Sequence, residues 1–225
     1  MTEDDWLRID LPHALFQATA NHRDGSARER RRKRMLLACA CCRRVWELFE
    51  DEKLKRAIEL VERDADNHAF TQELATSHDE ILRVVNHLGW ALHHSGRQYV
   101  AVHATCNVDV PLVFSTVRLM VQHRDPYGVE QAKLLAAEKA AQSALIRDVF
   151  GNPFRPATFS PDWLTSTVVA LAQHMYESRD FSAMPILADA LQDAGCDNAD
   201  VLDHCRKAGE HVRGCWVVDL VMDKQ

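Results

Sequence analysis

The chain has 225 residues, of which 47% are hydrophobic and 27% charged, with only 8 glycines and 7 prolines. That is enough chain for a large buried core and few residues that form turns, so long helices joined by short connections are expected. A formal charge of −6 argues against a general nucleic-acid coat, whose binding is driven by positive charge displacing counterions from phosphates.

The first residues, Met1 to Trp6, are acidic and lack a basic region followed by an apolar run, so no secretory signal is expected. No stretch approaches 18 uninterrupted apolar residues, which predicts no membrane span and a cytoplasmic protein. The cysteine count is odd, at seven, and three of them crowd into Cys39-Ala40-Cys41-Cys42. In a reducing compartment that pattern suits free thiols or metal ligation better than a disulfide framework.

In chain order, Asp10-Leu11-Pro12 predicts a helix start, since an aspartate oxygen accepts from free amides and proline fits the first turn. Asn21 to Gly25 reads as a loop, after which Ser26 caps a long helix to about Glu50. The apolar positions Leu36, Leu37, Ala40, Val45, Trp46, Leu48 and Phe49 recur in threes and fours. Leu54, Ala57, Ile58 and Val61 mark an amphipathic helix over 52–63, and Leu74, Ile81, Leu82, Val85, Leu88 and Leu92 mark another from Thr71 to about His94, with Ser77-His78-Asp79-Glu80, at capping-box spacing, as an alternative start.

The β-branched stretch Tyr99 to Val108 fits strand or helix, and helix is preferred. Further helices are predicted over Pro111–Met120 and Tyr127–Phe150, the second rich in Ala and Leu. Gly151-Asn152-Pro153-Phe154-Arg155-Pro156 then stops the chain firmly. Ser160-Pro161-Asp162-Trp163 predicts a new helix to about Arg179, followed by helices over Ala183–Ala194, Ala199–Lys207 and His211–Met222. The expected fold is all-α: a multi-helix bundle over 1–150 with a smaller C-terminal helical subdomain, 151–225, packed on it.

Four segments together carry a likeness: Cys39-Ala-Cys-Cys-Arg-Arg-Val-Trp46, Asp148-Val-Phe-Gly-Asn-Pro-Phe-Arg-Pro156, Leu187-Ala-Asp-Ala-Leu-Gln-Asp-Ala-Gly-Cys196 and His211-Val-Arg-Gly-Cys-Trp216. With them the chain resembles a large paralogous family of uncharacterised bacterial helical proteins. The resemblance covers Leu36 to Trp46 and Leu145 to the end. It implies a shared helical fold and supplies no mechanism.

The most chemically suggestive pattern is paired cysteine and histidine at helical spacing. Cys39 and Cys42 are three apart and project from one helix face, and His211 and Cys215, four apart, do the same. Two such pairs on packed helices would make a Cys₃His set suited to Zn²⁺, with Cys196 and Cys205 as alternative ligands. The same thiols also fit plain core packing, the commoner role of free cysteine. A redox or nucleophilic thiol near Arg43 and Arg44 is a third reading, without an identifiable base.

His78, His87, His93, His94 and His103 gather in the middle of the chain but lack Glu-x-x-His or His-Glu-x-x-His spacing, so surface or satisfied core roles are preferred. The run Arg28-Glu29-Arg30-Arg31-Arg32-Lys33-Arg34 is strongly basic. Its cations point all round a helix with no interleaved aromatics, which favours a solvated extension, or pairing with acidic groups of the same protein, over a nucleic-acid site. Trp6, Trp46, Trp90, Trp163 and Trp216 read as packing anchors.

With no glycine-rich phosphate loop, no Gly-x-Ser-x-Gly elbow and no paired carboxylates, the leading expectation is a non-enzymatic helical module. It would engage an unidentified protein partner and carry a structural zinc at Cys39, Cys42, His211 and Cys215. A metal- or cysteine-dependent enzyme on the helical scaffold is the alternative, and a nucleic-acid binder using 28–34 comes third.

Overall fold

The structure is a computed structural model and describes residues 1–21, 25–67, 72–88, 94–122, 125, 128 and 130–224. Among them there are twelve α-helices and no strand: α1 (Glu3–Arg8), α2 (Pro12–Asn21), α3 (Ala27–Arg43), α4 (Glu52–Asn67), α5 (Gln72–Leu88), α6 (His94–Cys106), α7 (Val110–Gln122), α8 (Gln131–Phe150), α9 (Ser166–Ser178), α10 (Met184–Asp193), α11 (Ala199–Arg206) and α12 (Trp216–Val221). None is long and apolar enough to cross a membrane. Thr71, Trp90, His93 and Tyr127, with the side chains of His87 and His94, lie outside the described residues.

The middle of the bundle is α3. Ser26 accepts from the Glu29 amide while Glu29 returns a bond to the Ser26 amide, so a capping box starts the helix. Every residue from Met35 to Cys42 is buried, because α4, α6, α7 and α8 all pack against it. A helical segment enclosed on all sides needs no polar face, and the small Ala and Cys residues allow its neighbours to approach closely.

Two buried clusters result. One runs from Trp6 through α3 and α4 to Val149 on α8; the other holds Val168 to Val221 and is built by α9 to α12. They meet where α12 touches α8. A polar network ties them together: the Arg32 guanidinium donates to both Asp219 oxygens at 2.6 and 3.0 Å, to Asp66 at 3.0 Å and to the Tyr176 hydroxyl at 2.8 Å. The Tyr176 hydroxyl in turn donates to Asp66 at 2.7 Å. Burial works against the Arg32 charge, but Asp219 and Asp66 around it hold its pKa above the ordinary value. Burial still lifts the Asp219 carboxyl despite the guanidinium against it. Nearby, Glu62 of α4 accepts from Arg43 of α3 at 2.5 Å and from Arg179, just after α9, at 2.7 Å.

Several element boundaries depart from expectation. α1 was not foreseen; a capping box between Thr2 and Asp5 starts it. The long helix expected from Ser26 to about Glu50 ends at Arg43 as α3, and 46–48 form a single 3-10 turn. Tyr99 to Cys106 is helical, since burial of its apolar side decides between two propensities that differ little. Ser160 caps only a 3-10 turn over 161–163, and a second cap, Thr165 to the Val168 amide, starts α9. The predicted helix over 211–222 is a turn followed by the short α12, because Gly214 adopts φ +92°.

Candidate metal centre

Four side chains converge at the junction of the two clusters: Asp148, His204, His211 and Cys215, with one donor atom from each lying within 4.8 Å of the others. Asp148 stands on the last turn of α8, where it interrupts the buried apolar stripe of Leu145, Ile146 and Val149. His204 lies near the end of α11, a helix capped by Asn198. His211 and Cys215 come from the turn between α11 and α12. That turn is closed by the Cys215 amide donating to the Val212 carbonyl at 2.9 Å, and Cys215 is also the N-cap of α12.

The Val212 amide donates to Asp148 Oδ2 at 3.0 Å, which fixes the carboxylate and leaves Oδ1 facing the other three groups. His211 Nδ1 lies 2.6 Å and His204 Nε2 3.1 Å from that same Oδ1. Cys215 Sγ lies 3.2 Å from His204 Nε2 and 3.9 Å from His211 Nδ1. The site is enclosed: side-chain exposure is 4% for Asp148, 9% for His211 and 16% for His204, and Cys215 is 0% exposed. Gly151, at φ +66°, ends α8 beside the Trp216 ring, where a Cβ would lie 3.2 Å from Cγ. Trp216 also stacks 5.1 Å from His204.

Burial pushes the Asp148 carboxyl up, but the bonds from His204 and His211 outweigh it and hold it below the ordinary carboxylate value. Burial, with Asp148 adding to it, pushes the Cys215 thiol well up. The donor set fits a metal ion on chemical grounds. Around a tetrahedral ion with bonds of about 2.0–2.3 Å, donors stand about 3.4 Å apart, and the four separations given above, 2.6 to 3.9 Å, bracket that value. Without an ion, His204 Nε2 faces both a carboxylate oxygen and a sulfur with one proton to share. Among the described residues His211 Nε2 is buried with no hydrogen-bond partner, so this ring's bonding is directed to the cluster through Nδ1. The group could hold a metal ion.

Of the four sequence-derived ligands, the structure brings His211 and Cys215 together and places Cys39 and Cys42 elsewhere, inside the first cluster. Cys39 Sγ meets the Ile58 carbonyl of α4 at 3.7 Å, and Cys42 Sγ meets the Thr105 hydroxyl of α6 at 3.3 Å. Burial raises the pKa of all three thiols in this segment, that of Cys42 to about 12, which favours the protonated, packing form over the thiolate. Cys196 and Cys205 pack in the second cluster.

The sequence reasoning missed Asp148 and His204. Their signals were a carboxylate within an apolar helical stripe and a histidine adjoining Cys205. Among the mid-chain histidines, His78 and His103 stack at 5.3 Å with Asn107 between them. Comparison with models of protein families, with curated proteins and with solved structures gives no match.

Proposed function

We propose that the protein is a zinc-holding helical module in which Asp148, His204, His211 and Cys215 clamp α11 and α12 onto the end of α8, and that it engages a protein partner without catalysing a reaction. One observation carries the zinc reading: four donors of types that zinc accepts close on one point, in a site with almost no exposed surface. Structural zinc sites are closed by four protein ligands, whereas catalytic ones keep a position open for water. One carboxylate, two imidazoles and one thiolate suit zinc better than magnesium or calcium, which prefer all-oxygen shells. All seven cysteines are free, which fits a reducing, cytoplasmic setting. The likeness to the bacterial family in the His211 to Trp216 segment belongs to the same proposal.

Metal analysis of untagged protein tests it. One zinc per chain is expected, lost in Cys215→Ser and His211→Ala and kept in Cys39→Ser and Cys42→Ser. Asp148→Asn retains the shape but weakens the first-coordinated oxygen, and affinity falls at least tenfold. Metal-free protein whose Cys215→Ser variant melts like the parent overturns the proposal.

A further inference from the structure

Beside the metal centre, with His204 in its wall, lies a cavity of about 500 Å³. A space of that size takes a small molecule. Arg30, Lys33 and Arg34 of α3 line it together with Arg147, Arg155 and Lys207. Against these six cations stand three carboxylates, Glu29, Asp200 and Asp203, so the wall has a formal charge of +3 in a chain whose own charge is −6.

Some of this charge is already committed. Arg147 donates to the Trp6 and Ile9 carbonyls and pairs with Asp10 at 3.5 Å, Arg155 pairs with Glu3 and Asp200, and Lys33 stands 4.0 Å from Glu29. Arg34 lies over the Phe16 ring, 5.4 Å from its centroid. Neither Arg34 nor Lys207 has a carboxylate at ion-pair distance among the described residues, and Arg30 reaches only the Gly25 carbonyl. Apolar surface comes from Phe150, Pro153 and Trp216. Uncommitted positive charge beside aromatic surface, in a low-dielectric recess, focuses field on whatever enters.

We propose that this cavity binds a small organic anion, an apolar ring or chain carrying a phosphate or carboxylate. Its charged group is met by the uncommitted cations of the wall, and its body rests on Phe150 and Trp216. The proposal does not depend on zinc, since none of these groups is a ligand of the centre.

Titration of the intact protein at low ionic strength, read by tryptophan fluorescence and calorimetry, provides the test. Phenyl phosphate and benzoate are the two anionic probes, inorganic phosphate supplies the charge alone, and benzyl alcohol supplies the ring alone. At least one of the two ring anions should saturate a single site, the tighter one identifying the head group. Inorganic phosphate should bind at least tenfold more weakly, benzyl alcohol should show no saturation, and salt should weaken the complex. Lys207→Glu, an exposed position after α11, should weaken binding about tenfold while Lys207→Arg retains it, and Arg34→Gln gives a second, independent loss. Metal content in these variants should match the parent, which separates loss of the anion site from loss of the centre. No saturation by either ring anion at millimolar concentration, or unchanged affinity in both Lys207→Glu and Arg34→Gln, would overturn the proposal.

Discussion

Gly214 stands at φ +92°, and a methyl group added there would lie 3.0 Å from Leu36 Cδ1 and 3.2 Å from its Cβ. Alanine at this position meets left-handed strain of about 1–2 kcal/mol and a contact with a buried side chain of α3 that costs about as much again. Gly214→Ala should therefore destabilise the protein by about 2–4 kcal/mol in urea unfolding and, because the turn presents His211 and Cys215, lower metal content as well. Glu62 gives a prediction in pH. Burial raises its pKa, but bonds and charges from Arg43 and Arg179 prevail and hold it below the ordinary value. A carboxylate depressed on folding contributes stability that is complete above its unfolded pKa, about 4.3, and lost as pH falls through the lower folded value. The stability difference between the parent and Glu62→Gln should thus be full at pH 7 and shrink below about pH 4; a difference that stays constant down to pH 3 contradicts the pairing. At this scale the sequence was least legible. His211 and Cys215 stood out by spacing, but the partners of Cys39 and Cys42 are groups on other helices, and periodicity along one helix cannot say what faces it.

Some helix starts were legible, because a cap is a local contract between residues three apart, though the Thr2 and Asp5 box of α1 went unread. The Ser26 box on α3 is an instance, and Ser26→Ala should cost about 1 kcal/mol of stability, measurable as a lower urea midpoint with an unchanged slope. Helix ends were less legible. The Ser160-Pro161 signal was correct as a cap but served only one turn, since Leu164 leaves the helical region at ψ 59° and Thr165 must start again. The 211–222 segment had helical spacing, yet its first five residues form a turn. Side chains four apart can meet across a tight turn as well as along a helix, so spacing alone did not distinguish the two backbones.

Across the whole molecule, the all-α class followed from composition and periodicity, while the joining of the two buried clusters did not. Arg32 belonged to a basic run whose members look alike in sequence. Only the fold sets it apart, by enclosing it between Asp66, Tyr176 and Asp219. Removing one partner of a buried ion pair costs about 3–5 kcal/mol because the other charge is left alone, whereas replacing both with apolar groups is often tolerated. Arg32→Leu should accordingly be strongly destabilising, and Arg32→Leu with Asp219→Leu should recover most of the loss; thermal melts of the two variants that coincide would show that the pair contributes nothing specific. Arg32 and Asp219 are 187 residues apart in the chain. While a nascent or refolding molecule assembles its first bundle, the guanidinium therefore stays wet or only half neutralised by Asp66. The central helix is sealed only once the last helix docks, and a contact of such long sequence separation belongs to the class of topology that slows folding relative to a bundle of local contacts.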